Sequence, residues 1–211
     1  YVAMSEKKAL IEKNEPLEDG INLALSGGGI RATVFHLGLL QRLAMSGHLE
    51  AVTRISTVSG GSLTIGLIFS VNNMQWPTSK EYLEVVFPKI KVLITSKNIQ
   101  LRAIGSLTLK PWRLITGRGN ALTEALKSGW GICQTLQDLP DRPVWFINTT
   151  NCYTGKNWRF SKKRMGDWVA GYQDSPDLPL AKALAASAGV PYAIGSTSIR
   201  LKPNNWYRLD Y

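Results

Sequence analysis

A chain of 211 residues with 44% apolar residues is long enough to bury a substantial core and fits one domain better than two. Its net charge of +10 and pI of about 9.7 call for an anionic partner, which a membrane surface, a nucleic acid or an acidic substrate would each satisfy. Two cysteines, Cys133 and Cys152, and two histidines are too few for a disulfide framework or a four-ligand zinc site, so free thiols in a reducing compartment and no metal are expected. No apolar run reaches the roughly 18 residues of a spanning helix. The polar N-terminus, with Glu6, Lys7, Lys8, Glu12 and Lys13, does not read as a signal peptide, so a cytoplasmic chain is expected. It starts at Tyr1 rather than Met and stops at Tyr211 directly after a candidate motif, as a fragment of a longer protein would.

Residues 1–20 read as an N-terminal arm or surface helix, closed by a turn at Asp19-Gly20, and residues 21–211 as one domain. Ile21-Asn22-Leu23-Ala24-Leu25 reads as a buried strand running into Ser26-Gly27-Gly28-Gly29. Beyond Gly29, Val34, Leu37, Leu40 and Leu43 with Phe35, Leu39 and Ala44 recur at helical spacing until Gly47 ends the segment. Ile55 to Val58 is a second short strand, Ser59-Gly60-Gly61 a second glycine turn, and Gly61 to Val71 a second apolar helix. Strand, turn and helix repeated in this way predict an α/β fold with a mostly parallel sheet and helices packed on it.

No acidic residue lies between Glu84 and Glu124, while Lys89, Lys91, Lys97, Arg102, Lys110, Arg113 and Arg118 are spread among Ile, Leu, Phe87 and Trp112. Such a mixture suits either an interfacial surface or an ordinary solvated face. Further on, Trp145 to Thr150 is a strand, with Trp158 to Ser161 as its partner across the turn Thr154-Gly155-Lys156. Pro179 to Ala188 is an alanine-rich helix stopped by Gly189 and Pro191.

The two glycine turns carry the chemistry. The first offers backbone N–H groups at a helix N-terminus, where negative charge is stabilised. The second lifts the Ser59 hydroxyl onto a strand-to-helix turn, where it reads as a nucleophile or as a helix-capping serine. Both histidines, His36 and His48, precede Ser59, so a triad in the order Ser, Asp, His cannot come from this chain. His36 falls within the first helix as a packed structural residue and His48 at a helix end on the surface. The proton acceptor for Ser59 must then be a carboxylate. Asp19, Asp138, Asp141, Asp167, Asp174 and Asp177 read as loop and turn residues, whereas Asp210 ends a short aromatic and apolar strand, Trp206 to Leu209.

These motifs resemble the patatin-like phospholipases. Leu25 to Ala32 matches that family's glycine-rich oxyanion motif, Val58 to Ser62 its nucleophile elbow, and Ala185 to Pro191 the small-residue helix and proline that precede its aspartate; Asp210 falls at that aspartate. The resemblance spans residues 21–211 and implies a three-layer α/β/α fold and a Ser59–Asp210 dyad. Under it Gly27, Gly28 and Gly29 form the oxyanion hole, and Arg31 fixes the loop or contacts a lipid phosphate. It implies hydrolysis of phospholipid or related acyl esters at an anionic membrane surface, with no cofactor and no nucleic acid, and residues 85–123 as a membrane or lid region. The same turns would also serve a lipid- or phosphate-binding module that has lost its activity. Two positions depart from the family pattern: Thr57 stands where the elbow has its first glycine, and Tyr211 where a glycine follows the aspartate.

Overall fold

The computed structural model describes residues 20–96, 118–189, 196–199 and 206–208. Strand β1 (Ile21–Leu25) runs into the first glycine turn and helix α1 (Gly29–Met45), and β2 (Val52–Val58) runs into the second and helix α2 (Gly60–Val71). A helical stretch follows, built from α3 (Ser79–Glu81), a π-helical segment (Tyr82–Val86) and α4 (Phe87–Ser96). After α5 (Arg118–Trp130) come β3 (Val144–Thr150), β4 (Asn157–Phe160), β5 (Arg164–Asp167), β6 (Gly171–Asp174), α6 (Leu180–Ala188) and β7 (Trp206–Tyr207). The expected arm over residues 1–20 lies outside the described residues up to Gly20, as do Lys97, Arg102, Lys110 and Arg113 of the basic stretch.

The seven strands form one sheet in sequence order. β1, β2 and β3 pair in parallel, with Leu25, Thr57 and Ile147 in one row and Ala24, Ser56 and Phe146 in the next. The parallel part of the sheet is therefore the part that carries the glycine turns, and from β3 to β7 the pairing is antiparallel. Helices α2 and α6 pack on one face of the sheet: the Phe69 ring of α2 lies 5.4 Å from Trp145, and Thr149 donates to the Ala186 carbonyl of α6 at 2.7 Å, while α1 packs against α2. The opposite face, with Asn22, Ala24, Ser56 and Val58, is exposed.

Helix α2 sits at the centre of the packing. Every residue from Gly60 to Phe69 is buried, as expected of a helix that is apolar all round. α1 and α6 flank it, and the Leu184 side chain fills the space over Gly66. In α1 the buried face is Thr33, His36, Leu37, Leu40 and Ala44, whereas Val34, Phe35 and Leu39, which the spacing assigns to an apolar helix, point outward. Two short strands, β5 and β6, were not expected. Asp167 and Asp174 end them rather than lying in loops, because four-residue strands holding Gly166, Gly171 and charged residues show no alternation in the sequence.

Candidate active site

Both glycine turns lie at the carboxyl ends of neighbouring parallel strands, where ligands gather in α/β sheets. Ser59 links β2 to α2 with φ 53° and ψ −117°, a backbone state that costs a non-glycine residue about 1–3 kcal/mol. This turn works only with small residues after it, since a Cβ on Gly60 would drive into the Gly29 carbonyl. The first turn is pressed against the second. A Cβ on Gly27 would lie 3.1 Å from Ser59 Cβ and 3.7 Å from its Oγ, so the hydroxyl-bearing side chain abuts the glycine loop.

The loop is anchored by backbone and side-chain donors. The Ser26 carbonyl accepts from the Gly61 N–H at 3.2 Å and from His36 Nε2–H at 3.0 Å. His36 is thus the packed structural histidine expected, with its ε nitrogen protonated because a carbonyl can only accept. Thr33 Oγ1 lies 3.0 Å from the Gly60 carbonyl and 3.2 Å from that of Gly29, bridging the two turns. Gly28 takes φ 136° and Gly29 φ 62°, so the chain turns into α1 through conformations that side chains disfavour.

Beneath Ser59 runs a chain of buried hydroxyls. Trp145 Nε1–H donates to Thr57 Oγ1 at 2.9 Å, Thr57 to Ser62 Oγ at 2.8 Å, Ser62 to Ser187 Oγ at 2.8 Å, and Ser187 to the Asn148 carbonyl at 2.7 Å. The direction follows from its ends, because an indole only donates and a carbonyl only accepts. Ser187 also accepts the Ser59 backbone N–H at 3.0 Å. Thr57, which departs from the elbow pattern, thereby belongs to the support of the elbow: its side chain occupies the space under the turn and joins β2 to β3 and α2.

Most of the carboxylates that can be placed are committed to structure. Asp138 caps a short 3-10 turn, Asp141 pairs with Lys162 at 2.9 Å, and Asp174 accepts from Tyr207 Oη at 2.7 Å. Buried Asp167 accepts from Asn151, Thr154, Val169 and Ala170. Its burial would raise its pKa, but those four donors outweigh it and hold the carboxyl below its ordinary value. Among the described residues, no group of three or more His, Cys, Asp or Glu side chains is placed to hold a metal, and Cys133 and Cys152 are free and exposed. A cleft of about 370 Å³ opens on the exposed sheet face, lined by Ala24, Ser26, Ser56, Val58 and Asn148 among others, but Ser59 does not line it.

A family model described as patatin-like phospholipase matches residues 23–208. The chain belongs to the patatin-like phospholipase family. Among solved structures, this patatin-like chain is similar to human GIVD cytosolic phospholipase A2, with a TM-score of 0.61 and 18% identity over 90% of this chain and 31% of that one. The same human protein in complex with methyl gamma-linolenyl fluorophosphonate gives a TM-score of 0.60 at 18% identity, over 89% and 32% of the two chains. A weaker likeness, TM-score 0.39 at 18% identity over 82% and 39%, is to full-length ExoU from the type III secretion system of Pseudomonas aeruginosa. No curated protein matches in sequence. The chain spans about a third of the length of the human structures, and at this identity the likeness establishes the α/β fold alone.

Of the residues expected at the site, Ser59, Gly27, Gly28 and Gly29 come together in the patatin-like chain, and Arg31 lies exposed in the first turn of α1. Asp210 and Tyr211 lie outside the described residues. The strand expected before Asp210 forms as β7, an edge strand paired with β6, and its Trp206 ring reaches Trp158 of β4 at 5.7 Å. Thr33, Ser62, Asn148 and Ser187 were missed as parts of the site. A hydroxyl among small residues, or a backbone carbonyl such as that of Asn148, is a faint signal in sequence, and the partner of each is fixed only by packing.

Proposed function

We propose that this chain is a serine acyl hydrolase acting on phospholipids or related acyl esters, with Ser59 as nucleophile and Asp210 as base. The observation that carries the reading is the Ser59 backbone, held in a costly left-handed state with its side chain against the glycine loop. A capping serine needs no such conformation; strain concentrates where a fold over-determines a functional group. Family membership supports the reaction class, and the motif position of Asp210 supports its role.

In this mechanism Ser59 Oγ attacks the acyl carbonyl while Asp210 takes its proton. Backbone N–H groups of the Gly27 to Gly29 turn donate to the oxyanion that forms, aided by the positive N-terminal ends of α1 and α2. Collapse of the tetrahedral intermediate breaks the ester C–O bond, and the leaving alcohol receives the proton from Asp210. Water, deprotonated in turn by Asp210, then attacks the acyl-enzyme carbonyl, and the bond to Ser59 Oγ breaks as Asp210 returns the proton to that oxygen and the fatty acid leaves. Arg31, exposed at the start of α1, is suited to a lipid phosphate.

The human relative is solved with a fluorophosphonate, which makes that reagent class the natural probe. Labelling is expected at Ser59 and to vanish in Ser59→Ala. Asp210→Asn is expected to abolish ester hydrolysis with the thermal unfolding transition retained. A folded chain that binds lipid but leaves Ser59 unlabelled and releases no acyl group is a binding module, and the enzyme reading fails.

A further inference from the structure

The outward face of α1 has an unusual composition for a surface helix. Opposite the buried Thr33, His36, Leu37, Leu40 and Ala44, the side chains of Val34, Phe35, Leu39 and Met45 are 54%, 68%, 45% and 61% exposed. At 100° per residue they share that face with Gly38, Arg31 and Arg42, both arginines exposed, and α1 holds no acidic residue. A helix packed on a core normally turns charged and polar residues outward. Here the outward face is apolar and basic.

We propose that this face of α1 is the surface by which the chain docks onto an anionic lipid bilayer. A contiguous exposed apolar patch marks an interaction site, and aromatic and aliphatic side chains set among arginines match the layered chemistry of an interface, acyl chains below and anionic headgroups above. The chain's charge of +10 acts in the same direction over longer range. A second copy of the chain fits less well, since a two-fold contact through this face would bring two sets of Arg31 and Arg42 together without a carboxylate from either helix. Position adds to the chemistry. α1 starts at the glycine turn, and Phe35 lies six residues beyond Gly29, roughly 9 Å along the helix axis. Thr33 and His36 on the opposite side of α1 hold the two glycine turns, so a bilayer on this face lies about one helix diameter from the elbow and brings the chain to its lipid; the inference rests on the proposed acyl hydrolase reading for its purpose.

The test uses the full chain carrying Ser59→Ala, so that binding is read without turnover. It is sedimented with phosphatidylcholine vesicles with and without phosphatidylserine. Strong pelleting with the anionic vesicles is expected, and Phe35→Ser with Leu39→Ser should lower the partition coefficient about ten-fold or more with an unchanged melting transition, both residues being exposed. Arg42→Gln should weaken binding to the anionic vesicles and leave the weaker binding to phosphatidylcholine unchanged. The proposal is overturned if the parent does not pellet, or if the double variant pellets as the parent does. It is equally overturned if Val92→Ser on α4 abolishes binding in its place, or if sedimentation velocity finds a dimer that the double variant dissociates. With Ser59 restored, the double variant should hydrolyse a short soluble ester at the parental rate. Absence of that activity in the parent counts against the hydrolase reading and not against the docking surface.

Discussion

Ser59 is followed by Gly60 and Gly61 because a Cβ on Gly60 would meet the Gly29 carbonyl of the first turn and one on Gly61 would meet Leu25 at the end of β1. Its own φ of 53° is what a glycine would adopt freely, yet a serine stands there. Conformational strain of this kind is removed by glycine and kept by alanine. Ser59→Gly is therefore expected to be more stable than Ser59→Ala, by about 1 kcal/mol. The order is the reverse of that in an ordinary helix, and thermal melts of the two variants read it; an alanine variant that melts higher would exclude strain at this position. Thr57 shows how a departure from a motif acquires a role: its hydroxyl takes the Trp145 indole N–H and passes the chain of donors to Ser62.

At the scale of elements, the elbow is held by three pieces of the chain that meet only in the folded state. β2 delivers Ser59, α1 props the glycine loop through Thr33 and His36, and α6 supplies Ser187 from 128 positions away. Ser187→Ala removes the acceptor of the Ser59 N–H and of the Ser62 hydroxyl, at a cost of about 1–3 kcal/mol for groups left unsatisfied. We expect it to slow fluorophosphonate labelling of Ser59 beyond what the loss of stability explains, with Ser187→Thr restoring part of the rate. Equal labelling rates in Ser187→Ala and the parent at a temperature where both are folded would reduce Ser187 to a packing residue. Both strand-turn-helix units were legible in sequence, since glycine after an apolar run and 3.6-residue spacing are local signals. The inward face of α1 was not, because Thr33 and His36 are buried by their bonds to the two turns rather than by hydrophobicity, leaving Val34, Phe35 and Leu39 outside.

For the molecule as a whole, several carboxylates are tuned to the folded state. Ser79 donors lower the pKa of Glu50, the Lys162 ammonium that of Asp141, and four donors against the opposing effect of burial that of Asp167. A carboxyl depressed on folding contributes stability that is fully present above its unfolded value, about 3.9 for Asp, and is lost as pH falls through the lower folded value. Asp167 joins the turn after β3 to the turn after β5, so Asp167→Asn is expected to cost about 1–3 kcal/mol at pH 7. Denaturant titrations should show that deficit shrinking as the pH is taken below 4; a deficit that holds constant would assign it to packing alone. The sequence by itself determined the α/β class, the two glycine turns, the missing histidine and the resemblance to the patatin-like phospholipases, since all of these are carried by residue type and short spacing. Only the tertiary structure decided that Ser59 and Gly27 meet, that hydroxyls from β2, α2 and α6 join beneath them, and which side of α1 faces outward. Those relations are contacts between residues distant in the chain, and their energies exist only once the sheet has brought the elements together.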